Sequence, residues 1–232
     1  MNNISEVEKQ KRWNNIHLRA GNRNDIRGQY DGWLEKHNTL MSSLKSCSTP
    51  ILDLGCGIGI DTLHLIDIGC EVVACDFSDE AIKKVNENIP EAKTRLFNMK
   101  NKMPFDNETF EIVIANKSIH YFSEKETKYI ILELHRIIKT NGLLAIVVNS
   151  TKDSNFGAGK GTKLEENFYE IRGTTKRFFD KESLQNFFEN SNWEFISIEE
   201  IIEDNGRIKA VQLNGEDAVN KKVTWCCILR RI

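Results

Sequence analysis

Apolar positions are sparse over the first 48 residues and then fall into short, regularly spaced runs: "PILDL" (50–54), "EVVACD" (71–76), "FEIVIAN" (110–116) and "LLAIVVN" (143–149), with a weaker "AKTRLF" (92–97). Unbroken apolar runs of this length, stopping at glycine or acid, predict strands covered on both faces. Helical periodicity fills the intervals. The segment at about 59–68 carries Leu63, Leu65, Ile66 and Ile68 on one side, and 78–89 opens on a Ser78 cap with acids in its first turn. A long amphipathic helix is predicted over 123–139, terminated by Asn141-Gly142. Alternating β and α units imply right-handed crossovers and a parallel sheet with helices on both faces.

The flanks read differently. Two helices are predicted at about 4–16 and 30–46, separated by the basic "RAGNRNDIRG" (19–28). Residues 150–175 are a polar excursion holding Gly157, Gly159, Gly161 and Gly173, too long for a connector and read as a functional or mobile loop. A helix at about 180–190 and strands near 193–202, 207–213 and 222–230 complete the pattern, with turns at Asn205-Gly206 and Asn214-Gly215 that suit an antiparallel edge. The prediction is one domain: an N-terminal helical lid (1–48), a ligand-binding core (49–150), a substrate-side loop (150–175), and a C-terminal helix with antiparallel strands (176–232).

Composition narrows the classes. A formal net charge of −2 supplies no field to gather nucleic acid or an anionic membrane. Six cysteines without a CxxC pair, and a polar start without an apolar leader core, lead us to expect reduced thiols and a cytoplasmic protein. A monomer or weak homodimer is expected. Of the adjacent Cys226 and Cys227, one is expected to face the core. The histidines make no ligand spacing with one another or with cysteine, so no metal is expected.

The chemistry concentrates in "ILDLGCGIGIDT" (51–62). A dinucleotide fingerprint, G-x-G-x-x-G, needs a third glycine for close helix packing; here Gly55-x-Gly57-x-Gly59 is followed by Ile60. Asp53 precedes the turn, where a carboxylate would repel a pyrophosphate but attract an ammonium group. Asp76 ends the second strand, where it can accept both hydroxyls of a ribose. An ammonium and a ribose without phosphate describe S-adenosylmethionine. The bland alternative makes Asp53 a turn acid and Asp76 a helix cap.

In combination, "LDLGCGIG" (52–59), "VVACDFS" (72–78), "MPFDNETFEIVIAN" (103–116) and "ELHRIIKTNGLLAIV" (133–147) resemble the class I S-adenosylmethionine-dependent methyltransferases, of the type 11/25 domain kind. "ANKSIHYF" and the later "NSTKDSNFGAGKG" are similar to the tellurite-resistance branch of that family. The resemblance implies a Rossmann-like, mostly parallel seven-stranded sheet with an antiparallel C-terminal strand and cofactor over the ends of the first strands. It places Asp53, Gly55, Cys56, Gly57 and Gly59 against the methionine portion and Asp76 and Phe77 at the ribose. Family members carry an acid after the third strand that binds the adenine amine; Asn98 stands there, with the Met99 amide beside it.

The acceptor side should involve Asn116, Lys117, Ser118, His120 and Tyr121, then Asn149 and the 150–175 loop. His120 is the candidate general base, by its unperturbed pKa near ~6.5, and Tyr121 a candidate for orienting substrate; for each the alternative is a packed core residue. Tyr30 and Trp33 are placed over the methionine end, Arg19 is the candidate partner of the cofactor carboxylate, and Asp61 is read as a helix-dipole acid. The expected reaction is methyl transfer to a small-molecule acceptor, a thiol, chalcogen or other soft nucleophile. The competing readings are an RNA or protein methyltransferase and a nicotinamide-dependent oxidoreductase.

Overall fold

The computed structural model describes residues 5–19, 21–189, 192–204, 207–210 and 221–232. One mixed sheet organises it. Strands β1 (Ile51–Leu54), β2 (Val72–Asp76), β3 (Lys93–Leu96), β4 (Phe110–Asn116) and β5 (Ile138–Asn149) pair in parallel, and the sheet order is β3-β2-β1-β4-β5-β11-β9-β10. Strand β11 (Lys222–Arg231) inserts antiparallel between β5 and β9 (Trp193–Asp204), and a short β10 (Arg207–Ala210) adds an eighth, outer strand. The predicted turns at Asn205-Gly206 and Asn214-Gly215 lie outside the described residues.

The period of two divides the sheet residues between two cores. Leu52, Leu54, Val113, Ala115, Leu144, Ile146, Cys227 and Leu229 pack on one side with helix α6 (Glu124–Ile137) and helix α7 (Lys181–Phe188). Ile51, Ile112, Ile114, Leu143, Ala145, Cys226 and Ile228 pack on the other with α3 (Asn38–Ser46). Both Cys226 and Cys227 are therefore buried, where one had been expected. Helices α4 (Ile60–Asp67) and α5 (Asp79–Asn88) follow β1 and β2.

Three local readings need correction. The N-terminal segment forms α1 (Glu6–His17), a short α2 (Arg23–Arg27) inside the expected connector, and a 3-10 turn at Leu34–Lys36 before α3, so the second predicted helix is broken at His37. Asn141-Gly142 does not end α6, which passes directly into β5; it bulges β5, whose register moves from Ile138 to Leu143 while β4 advances only from Phe110 to Ile112. The 150–175 excursion folds into an antiparallel sheet of β6 (Thr162–Glu165), β7 (Phe168–Ile171) and β8 (Thr174–Arg177). Its β7–β8 turn puts Arg172 (φ 51) and Gly173 (φ 73) both in the left-handed region, the geometry of a tight hairpin turn. Arginine where asparagine is usual hid that hairpin in the sequence.

Among the described residues no helix is long and apolar enough to cross a membrane.

Candidate functional site

Strand order reverses at β1, which lies between β2 and β4, and such a switch point opens a crevice beyond the carboxyl ends of the strands. A cavity of about 1510 Å³ occupies it. Typical ligand pockets hold roughly 300–1,000 Å³, so there is space here for a cofactor and a second molecule.

The glycine turn forms the floor. The amides of Gly55 and Cys56 both donate to Cys75 O (2.7 and 2.9 Å), Gly57 N donates to Asp76 Oδ2 (3.0 Å), and Gly59 N to Cys56 O (2.9 Å). With these four amides committed, the turn is not the cradle of free N–H groups that a pyrophosphate requires. Gly55 (φ 80) leaves no room for a side chain, since a Cβ there would lie 2.3 Å from Ser118 Cβ. Gly59 (φ 88) packs against Val85 of α5 and against Ile89 just beyond it, and it does not line the cavity.

The two expected acids diverge. Asp76 lines the cavity, fixed by Gly57 N on Oδ2 and Ser78 N on Oδ1 (2.9 Å). Asp53 does not line it: 2% exposed, it accepts a hydrogen bond from Thr62 Oγ1 (2.5 Å) behind the turn, and burial, then the charge of Asp61, pushes its pKa up. The carboxylate that faces the cavity is Asp61, read in the sequence as a dipole acid. Trp33 Nε1 donates to its Oδ1 and Asn116 Nδ2 to its Oδ2, each at 2.8 Å, and burial raises its pKa. Asn116 also lines the cavity, and its Oδ1 has no hydrogen-bond partner among the described residues. Lys117, next in the chain, takes a left-handed conformation (φ 54) and lies 3.9 Å from Asp31.

Cys56, Phe77, Asn98 and Met99 line the cavity, and exposed Arg19 lies on its rim. Tyr30 does not line it. Its ring stacks on His64 (3.9 Å between centroids), and its hydroxyl donates to Glu35 Oε2 at 2.7 Å. Trp33 is buried beneath Asp61, orienting that acid.

Helix α1 crosses the crevice. A capping box joins Ser5 and Glu8 at its start, and His17 is its one buried residue, so polar contacts hold it down. Gln10 Nε2 donates to Phe77 O (2.8 Å), Ser78 Oγ donates to Asn14 Oδ1 (2.7 Å), and His17 Nδ1 is hydrogen-bonded to Ser78 Oγ (2.9 Å). Trp13 meets Tyr121 edge-on at 4.9 Å, closing this side with aromatic surface. Opposite, the β6–β8 sheet forms a roof. Buried Arg177 holds it from beneath, donating to Phe122 O and Glu166 O, pairing with Glu165, and lying over the Phe168 ring at 4.7 Å.

His120, the candidate base, sits away from the cavity. It is 2% exposed and absent from the cavity lining, and burial, then the charges of Lys176 and Lys117, pushes its pKa down to about 3. An imidazole that stays neutral above that value does not change charge between pH 5 and 8. A folded pKa below the unfolded ~6.5 means the unfolded chain binds the extra proton, so this group costs stability as pH falls below ~6.5, by about 2 kcal/mol at pH 5. We expect His120→Gln to lose less melting temperature than the wild type between pH 7 and 5, with its turnover–pH profile unchanged in shape. An altered profile would restore His120 to the reaction.

A methyltransferase-domain family profile matches residues 51–142. An uncharacterized methyltransferase of Synechocystis sp. is 32% identical over 97 residues, covering 42% of this chain and 45% of that protein. The tRNA N(3)-cytidine methyltransferase METTL2 of Gallus gallus is 29% identical over 157 residues, covering 62% and 42%. The chain thus spans about half the length of the curated relatives it matches. Among solved structures, a SAM-dependent methyltransferase from Methanosarcina mazei superposes with a TM-score of 0.61 at 19% identity, covering 79% of this chain and 92% of that one. TehB from Haemophilus influenzae gives 0.58 at 18%, covering 87% and 67%; at these identities the likeness is one of fold.

Proposed function

We infer that this protein is an S-adenosylmethionine-dependent enzyme that methylates a small-molecule acceptor at the crevice above β1 and β4; the methyltransferase-domain match over residues 51–142 supports the reading. One observation carries the reading: two cavity-lining carboxylates, Asp76 and Asp61, flank a glycine turn whose amides are committed. That arrangement suits a ligand with ribose hydroxyls on one side, a cation on the other, and no phosphate.

When bound, S-adenosylmethionine supplies an electrophilic methyl group on a sulfonium centre. Asp76, fixed by two backbone amides, keeps acceptor capacity for ribose hydroxyls. Asp61 and Asn116 would hold the ammonium, and Arg19 on the rim would pair with the carboxylate. Cys56 and Gly57 would lie along the methionine, and Phe77, Asn98 and Met99 would border the nucleoside. Trp13 and Tyr121 would exclude water, and Lys117 and Phe168 line the same cavity on the side left for the acceptor. In-line displacement needs alignment above all, and alignment contributes about 7–11 kcal/mol of rate enhancement. A soft nucleophile that is already anionic at neutral pH needs no protein base.

The chicken relative raises a second reading, an RNA acceptor. Charge argues against it: the cavity lining contains six cations and six acids, leaving no basic track for a phosphate backbone. The test is a panel of thiols, selenite, tellurite, phenols, amines and tRNA, scored by S-adenosylhomocysteine release. We expect turnover with at least one small acceptor. Turnover with tRNA alone, matched by tight tRNA retention on filters at low salt, would reverse the assignment, and release with none would refute the enzymatic reading.

A further inference from the structure

We propose that Glu6, delivered by α1, is the carboxylate that reads the exocyclic amino group of the cofactor's adenine, so that base recognition and seating of α1 are one event. The proposal rests on the cofactor reading above. Asp76 closes β2, and its register partner Leu96 closes β3. A nucleoside held by its ribose at Asp76 therefore extends its base past the end of β3, onto the lining residues Phe97, Asn98, Met99 and Lys100.

An adenine amine is a donor and needs an acceptor there. Asn98 Oδ1 already accepts from Lys100 N (3.2 Å) and keeps one neutral acceptor position, while its Nδ2 donates to Glu6 Oε2 (3.0 Å), whose charged oxygens are the stronger acceptors. Glu6 itself lines the cavity. Its Oε1 receives Lys100 Nζ at 2.6 Å and Lys9 Nζ at 3.2 Å. A carboxylate has about four acceptor positions, so with three partners one remains for the base. The nearby Glu126 is less suited, because its Oε2 is spent on the capping box with Ser123. Asn98 and Lys100 thus aim and charge-balance an acid that arrives from 92 residues away along the chain.

The test compares S-adenosylhomocysteine with S-inosylhomocysteine, whose base carries an oxygen in place of the amine, by calorimetry on the full chain. We expect the wild type to prefer the adenosyl ligand by tenfold or more, the size of a hydrogen bond to a charged group, and Glu6→Ala to reduce that preference to within about twofold. An undiminished preference in Glu6→Ala, or no preference in the wild type, overturns the proposal while leaving the cofactor reading intact. Failure of the wild type to bind either ligand overturns both. Should Glu6→Ala fold poorly, amide exchange in the wild type decides: α1 should exchange more slowly under saturating adenosyl than under saturating inosyl ligand, and equal protection refutes the coupling.

Discussion

Asp61→Asn should weaken S-adenosylhomocysteine binding by roughly tenfold to a hundredfold, whereas Asp53→Asn should change it less than about threefold. The first substitution keeps shape but removes the charge opposite the ammonium, and a hydrogen bond to a charged group is worth about 1.5–3 kcal/mol. Asp61 lines the cavity and its two donors, Trp33 and Asn116, hold both oxygens in place. Asp53 lies behind the turn with its pKa raised and its carboxyl bonded to Thr62, so an amide there alters a structural contact remote from ligand. Isothermal titration on both variants decides between them, and a larger loss at Asp53 would refute the assignment. Sign and pH follow together. Burial raises the Asp61 pKa, so affinity for a cationic ligand should fall as pH is lowered through it, and Asp61→Asn should lack that dependence.

Gly55→Ala and Gly57→Ala should separate fold from site. Both positions are left-handed, at φ 80 and φ 53, which costs a side chain roughly 1–2 kcal/mol. At Gly55 the added Cβ also meets Ser118 Cβ at 2.3 Å, and overpacking adds roughly 1–3 kcal/mol. The expected total is roughly 2–5 kcal/mol, read as a drop of ~2–4 °C in melting temperature per kcal/mol for a chain of this size. At Gly57 the nearest atom is His17 Nε2 at 3.6 Å, so the fold tolerates the methyl. That methyl enters the cavity, and its effect should appear in cofactor affinity. Equal melting temperatures for the two variants would contradict this division.

What the sequence made legible was local. Unbroken apolar runs announced β1, β2, β4 and β5, and the glycine turn with Asp76 indicated where a nucleoside would lie. What it hid depends on distant partners. Asp61 looked like any acid in a first helical turn, because the residues that turn it into a site, Trp33 and Asn116, are 28 and 55 positions away. Asp53 looked exposed to ligand, because its bond to Thr62 exists only once α4 has packed on β1. Tyr30 carried the right chemistry, but its ring was claimed by His64. The β6–β8 sheet escaped notice because its strands are only four residues long, the outer two are largely polar, and a left-handed arginine closes the β7–β8 hairpin.

The roof is attached largely through main-chain oxygens. Arg177 donates to the carbonyl of Phe122, and Thr175 Oγ1 to that of Tyr121. Backbone acceptors are the same whatever side chains surround them. With Thr175 and Arg177 kept as donors, the other roof residues that face the acceptor can therefore exchange over evolutionary time without loosening that attachment or disturbing the acids that line the cofactor side. A lineage carrying this scaffold can keep its methyl donor fixed while its acceptor drifts.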